Sequence, residues 1–168
     1  MKVLGIDPGS ETLGWGVVEG ENLKYKLVDF GTVKSSPREK FSKRLLKIFE
    51  GVKSVIENFQ PDVLSIEESF YSVNVNVALK LGQVRGVVIV LGELSKLEIA
   101  EYSPRLVKQT VVGYGNAEKH QVQEMVRLLL RLQKAPEPHD ASDALAIAIC
   151  HFHHAGAQNR INLAKLKK

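Results

Sequence analysis

The sequence predicts an α/β domain on a five-stranded mixed sheet, an antiparallel meander followed by parallel strands, flanked by helices. Three observations carry this reading. Residues 1 to 33 read as short apolar strands joined by short Gly-containing turns, which makes them antiparallel neighbours. An amphipathic stretch from Pro37 to Phe59 then leads into the apolar run Val63-Leu64-Ser65-Ile66. Strand, helix, strand argues a parallel crossover, which sets this run beside the first strand. Both of those strands end on an acid, Asp7 in Ile6-Asp7-Pro8-Gly9 and Glu67 after Ile66.

In order, Met1 to Ile6 is the first strand, and Pro8-Gly9-Ser10 turns it. Leu13 to Val18 is the second strand. Its Gly14 and Gly16 lie near Asp7 if the two strands pair, where they allow close approach of a backbone or ligand. Glu19-Gly20-Glu21-Asn22 is the next turn, and Leu23 to Val33 the third strand. In the first helix Phe41, Leu45, Ile48, Phe49, Val52, Val55, Ile56 and Phe59 share one face, and Gln60-Pro61-Asp62 ends it. A loop with an aromatic pair, Phe70-Tyr71, precedes a second helix from Val77 to Leu97. Small residues recur there at Ala78, Gly82 and Gly86, a spacing that suits either core packing or a helix–helix seam. Glu98 to Tyr102 is the fifth strand, and Ser103-Pro104 opens a short helix to Val112. Asn116 suits the cap of a helix over 117–132. After the stiff Lys134 to Pro138 linker, a last helix runs from His139 to about His154. Residues 1–156 therefore read as one α/β domain and 157–168 as a frayed basic tail.

With 168 residues the chain can bury a real core as a single domain. No apolar run approaches membrane-spanning length, and Lys2 followed by an acid-bearing strand is not a signal peptide. The lone Cys150 rules out an internal disulfide and fits a reducing cytoplasm. The net charge of +4 is uneven: six Lys or Arg against two Glu lie between Tyr102 and Ala135. Basic segments beside clustered acids suit an enzyme whose substrate is a polyanion.

Asp140 and Asp143 stand one turn apart at the start of the late apolar helix and share a face. Such acids also suit the positive end of a helix dipole. Together with Asp7 and Glu67 they make four carboxylates on three core elements, which repel one another unless cations neutralise them. Oxygen-only ligands select Mg²⁺ or Mn²⁺ over zinc, and a pair of such ions suits in-line phosphoryl displacement. His139 adjoins the cluster as a further metal ligand, proton-transfer group or cap. His151, His153 and His154 lack the pattern of a zinc site.

The chain resembles the RuvC family of bacterial Holliday junction resolvases from end to end. The matching stretches are residues 4–10, Ile66-Glu67 with Phe70, 78–83 with Arg85-Gly86, 107–113, 117–119, 121–123 and 143–149. The resemblance implies a ribonuclease H-like fold and a Mg²⁺-dependent, homodimeric endonuclease. Such an enzyme makes paired nicks in opposed strands of four-way junction DNA, in recombination and repair. It also implies work beside a RuvA and RuvB branch-migration complex. Asp7, Glu67, Asp140 and Asp143 stand where that family places metal-binding acids. Lys108 and Lys119 match its DNA-contacting lysines, and Phe70, with Tyr71 beside it, matches an aromatic that contacts a base. An actin-like ATP-binding protein shares the strand, Asp and Gly turn but needs a second lobe that 168 residues do not supply. A junction-binding module without catalysis would keep the lysines and gain nothing from four acids.

Overall fold

Five strands, in the order β3-β2-β1-β4-β5, form a single sheet in the computed structural model, which describes residues 1–21, 24–68 and 74–166, with side chains to 155. β1 (Lys2–Asp7), β2 (Thr12–Glu21) and β3 (Lys24–Lys34) are the antiparallel meander. α1 (Phe41–Phe59) crosses over to β4 (Val63–Glu67), parallel to β1, and α2 (Val75–Leu94) to β5 (Glu98–Tyr102), parallel to β4. α3 (Pro104–Val112), α4 (Lys119–Leu129) and α5 (His139–Leu166) follow.

Strand alternation gives the sheet two apolar faces. Leu4, Ile6, Leu64 and Ile66 pack with Ile48, Val52, Val84 and Val88 of α1 and α2. Val3, Val18 and Val63 pack against α3, α4 and the wholly buried 144–149 stretch of α5. α5 lies directly on β1 and β2 because glycines face it. A Cβ on Gly5 would overlap the Ala144 carbonyl, one on Gly14 the Asp140 carbonyl, and one on Gly16 would come within 2.6 Å of the Leu145 side chain. What the glycines admit is therefore a helix backbone. Ser65 of β4 adds a hydrogen bond to the Ile147 carbonyl at 3.2 Å.

Several element ends differ from expectation, each for a local reason. Glu19, Gly20 and Glu21 belong to β2, because the hairpin ladder continues to the pair Glu21↔Lys24. α1 starts at Phe41, not Pro37. The Ser36 N–H donates to the Glu39 carboxylate at 3.0 Å and the Glu39 N–H to the Ser36 carbonyl, closing a separate turn. α2 starts two residues early because the Asn74 side chain accepts from the Asn76 N–H at 3.0 Å. It stops at Leu94, short of Leu97, where Lys96 takes a left-handed φ of 58°. The cap of α4 is Glu118, whose N–H donates to the Gln121 side chain at 2.9 Å, and not Asn116. That helix ends at Leu129, with Arg131 at a φ of 55°. α5 runs on to Leu166, so it crosses the boundary expected at residue 156 and most of the supposed tail is helical. Contrary to expectation, α2 is long and apolar enough by length and composition to span a membrane. It nevertheless carries Lys80, Arg85 and Glu93 and buries Val84, Val88, Leu91 and Gly92 against the sheet and α1.

Candidate active site

The parallel pairing of β1 and β4 runs through Ile6↔Ile66, so Asp7 and Glu67 follow side by side at the ends of adjacent strands. α5 meets the same end of the sheet. Gly14, the partner of Asp7 in β2, faces the Asp140 backbone, which seats the first turn of α5 beside Asp7. Asp143, one turn on, joins Asp7 and Glu67 in lining a cavity of about 220 Å³. The other walls are Pro104, Val107 and Lys108 of α3, Lys119 and Val122 of α4, and Ala146. Lys119 Nζ stands 3.7 Å from Asp143 Oδ2.

The sequence-predicted residues thus separate into groups. Asp7, Glu67, Asp143, Lys108 and Lys119 share the cavity. Asp140 flanks it, close enough for its charge to act on Asp7 and Asp143. His139 is exposed and lines a neighbouring open cleft with Lys34, Glu137 and Pro138. Phe70 and Tyr71 lie outside the described residues.

Burial dominates the electrostatics. It pushes the Asp7 carboxyl up to about 8, with repulsion from Glu67, Asp143 and Asp140 adding to it and Lys119 opposing it. Burial and Asp143 raise Glu67 to about 7 against Lys108 and Lys119, and burial raises Asp143 against Lys119. As the side chains lie, no three His, Cys, Asp or Glu among the described residues close on one point. The acids ring a cavity instead, and the donor set is all oxygen. Half-buried carboxylates that resist ionising together suit a hard divalent cation, which would favour their charged forms.

This charge arrangement has a stability consequence. A carboxyl whose folded pKa is raised stabilises the fold below its unfolded pKa and loses that contribution as pH rises through the folded value. For Glu67 and Asp7 the loss is completed through about 7 and about 8. Buried His151 has a lowered pKa and acts in the opposite sense, losing stability only as pH falls. In EDTA the melting temperature should therefore fall from about pH 4 to about pH 8, and Mg²⁺ should flatten the curve. Thermal unfolding across that range with and without the ion checks this; an unchanged slope would separate the acids from cation binding.

One contributor was not legible in the sequence. Arg44 looks like one more cation on an exposed helix, yet it is 5% exposed. Its guanidinium donates to the Ser10 carbonyl and, at 3.2 Å, to Ser35 Oγ, which itself donates to the Ser10 carbonyl. These bonds tie the Pro8-Gly9-Ser10 turn behind Asp7 to α1 and the end of β3. Only its position three residues from Phe41, whose ring it overlies at 5.5 Å, hinted at burial. The C-terminal histidines also have structural partners, His151 Nδ1 lying 3.0 Å from the Tyr102 hydroxyl and His154 stacking on the Tyr102 ring.

A family model described as crossover junction endodeoxyribonuclease RuvC matches residues 3–151. A protein of that name from Chloroflexus aurantiacus is 46% identical over 164 residues, covering 98% of this chain and all of the relative. Another, from Alkaliphilus metalliredigens, is 45% identical over 153 residues, 91% of this chain and 93% of that one. Among solved structures, Thermus thermophilus RuvC in complex with Holliday junction substrate superposes with a TM-score of 0.87 at 39% identity, covering 92% and 94% of the two chains. The yeast mitochondrial Holliday junction resolvase Ydc2, at 16% identity and a TM-score of 0.71, shares the fold. A nearly full-length family match, relatives of nearly equal length and a ribonuclease H-like sheet with acids at its strand ends agree: the chain belongs to the RuvC family of crossover junction endodeoxyribonucleases.

Proposed function

We propose that the protein is a Holliday junction resolvase, a structure-specific endonuclease that nicks opposed strands of four-way junction DNA in recombination and repair. The observation that carries the reading is one cavity lined by three acids on three core elements and by two lysines. Asp7, Glu67, Asp140 and Asp143 would hold two Mg²⁺, with Mn²⁺ able to substitute; bound there, the ions supply Lewis-acid chemistry for in-line phosphoryl displacement. In the reaction a bond forms between water oxygen and phosphorus. The P–O3′ bond breaks, leaving a 5′-phosphate and a 3′-hydroxyl. Lys108 and Lys119 reach the same cavity from α3 and α4 and suit the phosphates around the scissile bond. Phe70 and Tyr71 follow Glu67 closely and are proposed to stack on a base at the crossover. His139, exposed beside Asp140, is proposed as an auxiliary proton-transfer or metal group.

Incubating a synthetic four-way junction with the protein in Mg²⁺ and in EDTA tests this. Paired nicks in Mg²⁺ alone support it. Tight junction binding without nicks would leave only a junction-binding module.

A homodimer matches the junction's approximate two-fold symmetry. The surface proposed for it is the outer face of α2, where Leu79, Val90 and Leu94 are 57–71% exposed around Gly82 and Gly86. An added Cβ at either glycine meets nothing within 4 Å in the single chain. Gly82→Leu should consequently fold, sediment as a monomer and bind junctions at least tenfold more weakly. A stable dimer of that variant would move the seam elsewhere. The family also suggests a RuvA and RuvB branch-migration complex as partner and the cytoplasm as location.

A further inference from the structure

We infer that the β3–α1 edge of the molecule, Lys34, Arg38, Lys40 and Lys43 with Lys80 of α2, is a second phosphate-binding ridge. It would hold the DNA backbone on the side of the carboxylates opposite Lys108 and Lys119. The inference rests on the nuclease reading and adds to it a path for the substrate.

Topology places the ridge. The sheet order puts β3 at one edge and β5, which leads into α3, at the other, with the acid-bearing ends of β1 and β4 between them. Lys34 closes β3 at that same end, since the Ser35 N–H donates to the Glu11 carbonyl at 2.9 Å and Ser35 Oγ to the Ser10 carbonyl at 3.0 Å. Lys34 also forms one wall of the open cleft whose other wall is His139, the residue before Asp140. The cleft thus runs from the ridge to the first turn of α5.

The charge is available. Lys34, Arg38, Lys40, Lys43 and Lys80 are exposed, and none lies within ion-pair distance of a carboxylate among the described residues. Lys80 Nζ lies 5.8 Å from the Phe41 ring, which brings α2's contribution beside the start of α1. The acid inside this stretch, Glu39, is occupied by Lys47 at 2.6 Å and by the Ser36 N–H, with the Lys43 charge acting on it from farther off. Glu11 and Glu137 are the other acids near the ridge, at the β1–β2 turn and in the cleft. Five cations against those two leave a net positive edge.

The chemistry asks for such an edge. A strand crossing the cavity carries phosphates on both sides of the scissile bond, and four carboxylates repel all of them. Lys108 and Lys119 compensate on one side only. Without cations on the other, the strand would lift away where it leaves the acids.

The test is junction binding as a function of salt, in Ca²⁺ to hold the substrate uncut. The fourfold variant Lys34→Gln/Arg38→Gln/Lys40→Gln/Lys43→Gln removes charge from exposed side chains. Each phosphate that goes unneutralised should flatten the log–log salt slope by about 0.9, so the variant's slope should be shallower by about 2–4. Its affinity at moderate salt should drop at least tenfold. Lys24→Gln/Lys26→Gln removes two exposed cations from the far end of β3 and should leave the slope as it was. Neutral methylphosphonate linkages placed in turn on each side of the scissile bond locate the bound phosphates: on one side they should weaken the wild type and not the variant. A fourfold variant with the wild-type slope, or one as sensitive as the wild type to every neutral linkage, overturns the ridge. A wild type that neither binds nor nicks junctions would instead overturn the nuclease reading.

Discussion

Asp7→Asn should abolish nicking while making the metal-free protein more stable. The catalytic loss should reach at least three orders of magnitude, or about 4 kcal/mol of transition-state stabilisation. Asp7 is the most strongly perturbed acid of the site, and its charge is opposed by Glu67, Asp143 and Asp140 together. An amide of the same size keeps the packing and removes the charge that a cation needs. It also removes the repulsion, so thermal stability in EDTA should rise, each kcal/mol of relief adding about 2–4 °C. Junction binding should persist or tighten, because one negative charge fewer faces the phosphates. Opposite movements of activity and stability mark a residue kept for chemistry rather than for the fold. Glu67→Gln should behave alike with a smaller gain in stability, since its carboxyl is raised less. Single-turnover nicking, calorimetric melting and junction titration on one preparation supply all three readouts. Wild-type nicking by Asp7→Asn would dismantle the site.

The elements that position the acids were legible because periodicity reports burial. Val3 to Ile6 and Val63 to Ile66 are apolar on both faces, as befits strands covered by helices on each side. The acids at their ends therefore stood out as polar groups at the rim of a core. The helix boundaries were less legible, because side-chain caps decide them over one or two residues. Asn74 and Glu118 won those ends through hydrogen bonds that sequence does not rank. Arg44 was hidden for another reason. Its burial depends on carbonyls of a turn thirty-four residues away, a contact that no local pattern encodes. The exposed face of α2 was ambiguous as well. A repeat of small residues suits a core more readily than a seam, and the open space beside Gly82 and Gly86 speaks only against the core.

The glycines of β1 and β2 make the second large prediction. Gly14→Ala adds one methyl group, and its expected cost is a nicking rate at least a hundredfold lower. The residue pairs with Asp7 on one side and Thr32 on the other, so the strand cannot easily swing away. Its Cβ would overlap the Asp140 carbonyl, and the next atoms it meets are also backbone, Asp140 C and Ala141 N. No rotamer change relieves such an overlap; the first turn of α5 must lift by about 1 Å. Asp140 and Asp143 would move with it, away from Asp7 and Glu67, which stay on the sheet. A displacement of that size between groups that must act together costs about two orders of magnitude in rate. The fold should survive, because overpacking costs about 1–3 kcal/mol and the buried 144–149 stretch still seats the helix. Melting should accordingly drop by several degrees, and circular dichroism should stay native. Gly5→Ala gives the contrast. Its Cβ would overlap the Ala144 carbonyl, in the middle of the buried stretch, so it should lower stability more than Gly14→Ala does. A Gly14→Ala protein that melts several degrees lower yet nicks at the wild-type rate would mean that the first turn of α5 does not carry ligands. Nicking that returns at high Mg²⁺ would instead show the displaced acids still closing on the ion, only more weakly.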